Sequence, residues 1–410
     1  MPTDFLALQT PLKADAIRTV NFFNGRLLTA RTMDREQQAR READARIGLA
    51  MGDGIAAGLE VAFAGNTAPE NRPAATVEAG TAVNRNGHVL RLPARVTLAL
   101  AEAPAPAADT IACLFGDCAP LATGDYVSGQ GLYLLTIGPA FASEGRAEVS
   151  GMGNTAVYCA TDATVEAVQF RLLLVRPELF GGANPSDPDF RNRIAYHAFG
   201  VGVRRAWPAD LRGSDPRGDD LIDVMRDYGL TDAEVPLALV AFTNNGHSFT
   251  DCWSVRRPVF TRDEGSVFAG LAEPRRIGVG RAMFRQFQDE FAGLASPASV
   301  VARARFAFLP PVGFLPGFTE SSAAGFFSGM TVRGPTHIDA SAVEPLLRES
   351  FAAPAISTDS NHAVWLYQIA QTRMAGEAPI LIFANGHLPY RADARFNLSH
   401  FNYAHYALIP

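Results

Sequence analysis

At Gly52 the sequence changes its hydrophobic period, and that change limits what the chain can fold into more than any other feature. Before it, residues 29–51 read as one helix, with Thr29 or Thr32 placed to cap it and charges of both signs filling its turns. After it, apolar residues recur at every second position. Ile55, Ala57, Leu59 and Val61 form one series, Val77, Ala79, Thr81 and Val83 another, and Asn86-Gly87 supplies a turn into residues 89–92 and 96–100. A period of two puts alternate side chains on one face of a strand, so residues 53–176 are expected to form a β-domain. Residues 132–137 and 164–175 extend it, and the apolar run that closes the second is expected to be covered on both faces.

A chain of 410 residues, 48% of them apolar, has room for two to four cores at about 100–200 residues per domain. The Gly-, Pro- and Asn-rich stretch 177–188 reads as a linker. Beyond it, Phe190, Ile194, Ala198 and Val201 recur at helical spacing, and a second helix over 219–228 stops at Gly229. Asn244-Asn245-Gly246 between 235–243 and 248–255 specifies a hairpin, and Ile277, Phe284, Phe287, Phe291 and Leu294 mark an amphipathic helix whose aromatic stripe reads as core. In the last quarter the pattern predicts a strand over 303–309 and an extended, edge-only course through Pro310, Pro311 and Pro316. Ser341 and Glu344 are spaced as a capping box for a helix ending near Phe351, and strands follow at 363–369, 379–384 and 396–409. The fold class expected is α+β, mainly β and multidomain: antiparallel sheets with an N-terminal helix and several packed helices. Four segments follow: 1–52, a docking segment and helix; 53–176; 177–296, an α+β domain with the hairpin; and 297–410, a β-rich domain.

Charge narrows the function. With 36 basic against 42 acidic residues the net charge is −6, which leaves no cationic excess for a phosphate backbone or an anionic membrane. Neither nucleic acid nor direct membrane insertion is expected, since the longest apolar runs, such as 172–175 and 380–384, are strand-sized. Residues 1–13 lack the basic start and apolar stretch of a secretion signal, so synthesis in the cytoplasm is expected.

Motifs that carry chemistry are sparse. Cys113, Cys118, Cys159 and Cys252 lack the paired spacing of a zinc site, and the Gly-x-Gly pieces at Gly151, Gly200 and Gly278 lack the context of a nucleotide loop. His387, His400 and His405 cluster near the C-terminus, with His337 and His362 upstream, but positions 400 and 405 of one strand face opposite ways. Asp219-Asp220 and Asp289-Glu290, on expected helices beside Arg226 and Arg285, read as solvated faces. No catalytic residue, cofactor or metal is expected.

Contact-prone residues gather instead at the two ends. Phe22, Phe23 and Arg26 precede a helix studded with Arg31, Arg35, Arg40 and Arg41, whose apolar stripe of Met33, Ala39, Ala43, Ile47 and Ala50 is too thin for a buried helix. Phe401, Tyr403 and Tyr406 stand at the other end. Aromatic residues and arginine anchor interfaces, and these ten form the expected contact set.

The segment Asn21-Phe22-Phe23-Asn24-Gly25-Arg26-Leu27-Leu28-Thr29, the charged helix with Glu36-Gln37, and Gly54-Ile55-Ala56-Ala57-Gly58-Leu59-Glu60-Val61 occur in that order. Together they resemble the opening of a group of bacterial proteins associated with phage-tail-like contractile injection systems. Residues 77–87 resemble the next strand pair of that group, and the likeness runs to about residue 95. It implies a structural baseplate-peripheral, cap, collar or fibre-adaptor protein that docks through its N-terminal helix onto other subunits of the particle. It also implies a homo-oligomer, within a cytoplasmic or released particle, and carries no active-site residue. Two readings stay beside it: a glycan- or ligand-binding module using the aromatic, Asn-rich C-terminal sheet, and a hydrolase with its site around His387, His400 and His405.

Overall fold

The computed structural model describes residues 13–67, 72–100, 131–145, 162–201, 221–243, 246–260, 274–359, 361–369 and 380–385. Helix α1 (Ala30–Met51) begins at the expected cap. The Thr29 hydroxyl accepts from the Thr32 backbone N–H at 3.3 Å while the Thr32 hydroxyl oxygen accepts from the Thr29 N–H at 2.9 Å, so two end donors are satisfied reciprocally. Gly52, at φ +91°, ends the helix.

Six short strands follow: β1 (Gly54–Gly58), β2 (Val61–Thr67), β3 (Arg72–Val77), β4 (Gly80–Val83), β5 (Val89–Leu92) and β6 (Val96–Ala99). They pair antiparallel as two three-stranded sheets, in the orders β1-β4-β5 and β2-β3-β6. The β4–β5 turn is held by Asn84, whose side-chain oxygen accepts from the backbone N–H groups of Asn86 at 3.0 Å and His88 at 2.9 Å. Its amide donates to the Ala233 carbonyl at 3.0 Å, which ties the turn to the next unit.

A larger sheet contains β7 (Gly131–Glu144), β8 (Ala163–Val175), β9 (Val235–Thr243) and β10 (Gly246–Asp251) in the order β10-β9-β7-β8. It draws strands from both sides of the boundary expected at residue 176. Tyr133, Leu135, Ile137, Val240 and Phe242 project into one core with Ile55, Leu59, Val77 and Leu90. Leu132, Leu134, Leu239 and Ala241 project into another, with Phe190 and Ile194 of α2 (Phe190–Ala198) and Leu221 of α3 (Leu221–Val224). This two-sided burial explains the continuous apolar runs of β7 and β9.

The same reasoning corrects the expectation for residues 164–175. Strand β8 lies at the sheet edge, and only Val175 of it is buried. Val168, Phe170 and Leu172 rest on the first core while Leu174 faces outward. An apolar run records composition, and the strand order decides which run lies in the middle.

The C-terminal unit comprises α4 (Pro274–Ala292), α5 (Ala302–Arg305), β11 (Phe308–Leu309), β12 (Val312–Pro316), α6 (Glu320–Phe326), β13 (Val332–Ile338), α7 (Val343–Ser350), β14 (Ile356–Ser357), β15 (Val364–Ile369) and β16 (Ile380–Asn385). Its main sheet runs β12-β16-β15-β13, with β13 and β15 parallel and the other pairs antiparallel. The proline-flanked β12 takes the edge, as its sequence requires. The aromatic stripe of α4 is core: Phe287 and Phe291 meet Phe306, Phe318, Phe326 and Phe383 with ring centroids 5.3 to 6.0 Å apart. The architecture is α+β, mainly β, in several sheets.

Three local expectations are corrected. Residues 303–309 hold the short helix α5 and the two-residue β11 in place of one strand, because the Phe306 N–H donates to the Ala302 carbonyl at 2.8 Å and closes a helical turn before the strand begins. Ser341 and Glu344 form no capping box: a 3-10 turn over Ala340–Ala342 precedes α7, and the Glu344 carboxylate accepts instead from Arg348 at 2.6 Å. Strand β10 ends at Asp251 and does not continue to Val255. There the Asp251 carboxylate accepts from Trp253 N–H at 2.9 Å and Ser254 N–H at 3.0 Å, closing a turn.

Between α2 and the C-terminal unit, buried Asn192 acts as a clamp. Its oxygen accepts from the Ala307 N–H at 2.8 Å and the Phe308 N–H at 3.2 Å, and its amide donates to the Phe308 carbonyl at 3.3 Å. Asn192→Ala leaves buried backbone groups without partners, at about 1–3 kcal/mol for the loss. Urea denaturation should show that decrease, whereas Asn86→Ala, at an exposed turn residue whose side chain carries none of these bonds, should change stability by under about 1 kcal/mol.

Candidate docking surface

The N-terminal segment folds back along α1 as a strap. The Glu36 carboxylate accepts from the Val20 N–H at 3.1 Å, and Arg46 pairs with Asp15 at 3.5 Å, so residues 15–20 run antiparallel to the helix. Val20 and Ala39 are buried between them. The strap and helix also border a cleft of about 370 Å³ lined by Lys13, Asp15, Arg18, Arg35, Gln38 and Glu42, with charge of both signs. On its other side α1 meets the body at a close backbone contact, where Gly48 crosses Gly87 of the β4–β5 turn. A Cβ on Gly48 would stand 1.9 Å from the Gly87 carbonyl oxygen, and one on Gly87 would stand 2.0 Å from the Ala45 carbonyl oxygen, so only glycine fits either position.

Apart from half-buried Thr32, Glu36 and Ala45, the rest of α1 is open. Of its 22 residues, Ala39 and Gly48 are the buried ones. Met33, Arg40, Ile47 and Met51 recur at helical spacing on a single face, and all four are exposed. Ahead of the helix, Phe22 is exposed, Phe23 is 63% exposed and Leu27 is 80% exposed. These side chains leave apolar surface exposed along the strap and helix.

Of the residues picked out in the sequence, Phe22, Phe23, Arg31, Arg35, Arg40 and Arg41 are exposed on this element. Arg26 is half-buried, its guanidinium 5.9 Å from the Phe23 ring centre and bonded to the Asn21 carbonyl at 2.5 Å. Phe401, Tyr403 and Tyr406 lie outside the described residues, as do His387, His400, His405, Cys113, Cys118 and Cys159. The residues expected to make contacts near the N-terminus are thus accessible, apart from the half-buried Arg26.

A second exposed element was not anticipated. Strands β7 and β8 stay paired for seven residues beyond the last β9 partner, from Gly138↔Gln169 to Glu144↔Ala163. At about 3.4 Å per residue this two-stranded arm reaches some 20 Å past the sheet. Phe141, 62% exposed, and Val165 are its outward apolar residues, and Glu144, Asp162 and Glu166 its exposed charges. Nothing in Gly138-Pro-Ala-Phe-Ala-Ser-Glu144 alternates, which hides the strand from pattern reading.

Buried charge occurs elsewhere, at the seam between α2, β10 and the C-terminal unit. Glu290 is 3% exposed, which corrects its reading as part of a solvated pair. Gln286 donates to its Oε2 at 2.8 Å and Arg305 Nη1 lies 3.0 Å from its Oε1. Burial pushes the Glu290 carboxyl up to about 7, against the pull of Arg305 and Arg191. Arg191 spans the seam to Asp251 at 3.4 Å and to Asp289. Next to Asp251, burial pushes the Cys252 thiol up to about 12, so the sulfur stays protonated at neutral pH. His247, stacked on Phe63 with ring centres 3.7 Å apart, is lowered by burial.

Among the described residues no group of three or more His, Cys, Asp and Glu side chains could hold a metal ion, and no helix is long and apolar enough to cross a membrane. No protein-family model matches the sequence, and no curated protein matches it.

Proposed function

We propose that this protein is a structural assembly component of a phage-tail-like contractile injection system, acting through protein–protein contacts and not through catalysis. The observation that carries the reading is α1, a well-capped helix of 22 residues that buries only Ala39 and Gly48 on its own chain. A helix of mixed charge draws little stability from itself, and a packed face normally supplies the rest. Here that face is free, with Met33, Ile47 and Met51 exposed along it and Phe22 and Phe23 beside it. The sequence likeness to proteins of such particles covers this same element, and the partners are other subunits of the particle.

The test is deletion. A chain lacking residues 1–51 should keep the circular dichroism and cooperative melting of the body, because the cores are built from residues after Gly52. It should no longer sediment with tail-like particles from the producing cells. Cosedimentation equal to that of the full chain would sink the proposal.

A further inference from the structure

We propose that the β7–β8 arm docks on the strap and α1 of a second copy of this chain, each copy lending its arm to the other across a two-fold axis. The proposal rests on the assembly reading above and names the partner of its surface. Charge is the first argument. Over residues 139–145 and 162–167 the arm carries Glu144, Asp162 and Glu166 and no cation. Over residues 13–51 the strap and helix carry eight basic against five acidic residues, an excess of three cations in a chain whose net charge is −6. The two patches are complementary in sign, and each has apolar residues within it: Phe141 and Val165 on the arm, Met33, Ile47, Phe22 and Phe23 on the other.

Position is the second argument. The roots of both elements, where the arm leaves the sheet and where α1 crosses the β4–β5 turn, sit beside the loop of residues 231–234. Gly138, where the arm leaves the sheet, has the Glu234 side chain 3.1 Å from its Cβ position. Asn84 and Arg85, on the turn that carries α1 through Gly87, bond the carbonyls of Ala233 and Asp232 at 3.0 Å. Elements rooted side by side can engage reciprocally in a two-fold pair, arm on helix and helix on arm, which satisfies both at once and closes the assembly at two copies. The third argument is the arm itself, since a two-stranded ribbon is marginal in water and gains from being covered.

The full-length protein is measured by light scattering after size exclusion, at low and high salt. A dimer is expected at low salt, with dissociation at least tenfold stronger in 0.5 M NaCl, where exposed charges are screened beyond about 4–5 Å. Glu144→Lys, Asp162→Lys and Glu166→Lys together should weaken the dimer at least tenfold. Arg31→Glu, Arg40→Glu and Arg41→Glu together should do the same. All six residues are exposed, so folding is expected to survive, as thermal melts would verify. An equimolar mixture of the two triple variants should restore the dimer, because each reversed arm then meets a reversed helix and each native arm a native helix. A wild-type monomer up to about 100 μM would overturn the proposal, a concentration at which even contacts of about −5.5 kcal/mol are half formed. So would a dimer indifferent to either triple reversal, or a mixture that stays monomeric. A monomer that still sediments with particles would sink this dimer and leave the assembly function standing.

Discussion

Arg305→Ala should lower the unfolding free energy by about 3–5 kcal/mol at pH 8, because it removes the cation facing a buried carboxylate. Glu290 lies in the seam with Gln286 on its own helix, Arg305 on α5, Arg191 on α2 and Asp251 at the end of β10. Burial outweighs the cations and holds the carboxyl near 7, above the 4.5 of an ordinary glutamate. The sign of the pH dependence follows. A carboxyl whose folded pKa is raised binds its proton more tightly in the folded state, so its contribution is fully present below about 4.5 and is lost as pH rises through about 7. Across that window the loss is roughly 3 kcal/mol. Glu290→Gln, a neutral group of the same shape, should remove this slope. The measurement is urea denaturation from pH 5 to pH 8 on wild type and variant. The difference between the two curves isolates Glu290 from His197 and His247, whose lowered values act in the opposite sense. Parallel curves would refute the assignment.

The contrast between Glu290 and Thr29 shows which parts of this molecule were legible in the sequence. The Thr29 cap, the Asn86-Gly87 turn and the stop at Gly229 depend on residues within four positions of each other, and pattern reading finds them. Glu290 is decided by its burial in a seam walled by other elements, with Arg191 about a hundred residues back in the chain, so its local setting beside Asp289 resembles any solvated helix face. Strand β8 is the same lesson in a sheet, because edge or centre is a property of strand order and Leu172-Leu173-Leu174 reads alike in both. The exposed elements were partly legible. The thin stripe of α1 foretold a helix that its own chain barely covers, whereas the arm, without alternation, and the Gly48–Gly87 crossing, between residues 39 positions apart, gave no local sign.

That crossing predicts a clean separation of docking from folding. Gly48→Val should drive α1 off the body, since the added Cβ would meet the Gly87 carbonyl oxygen at 1.9 Å, and a backbone atom in a turn pinned by Asn84 cannot move aside. The rest of the fold loses little, because α1 buries only Ala39 and Gly48, so the body's unfolding free energy should change by less than about 1 kcal/mol. The detached helix should lose amide protection over residues 30–51 and become open to trypsin at Arg31, Arg35, Arg40, Arg41 and Arg46. A helix this charged does not hold its shape alone. Particle association should then fall to the level of the chain lacking residues 1–51. Ala43→Val, an equally small-to-branched change at an exposed position of the same helix, is the control, and it should leave trypsin resistance and association in place. If Gly48→Val kept α1 protected, the helix would have to be held by contacts other than this crossing. If it lost protection yet still bound particles, docking would have to reside elsewhere on the body.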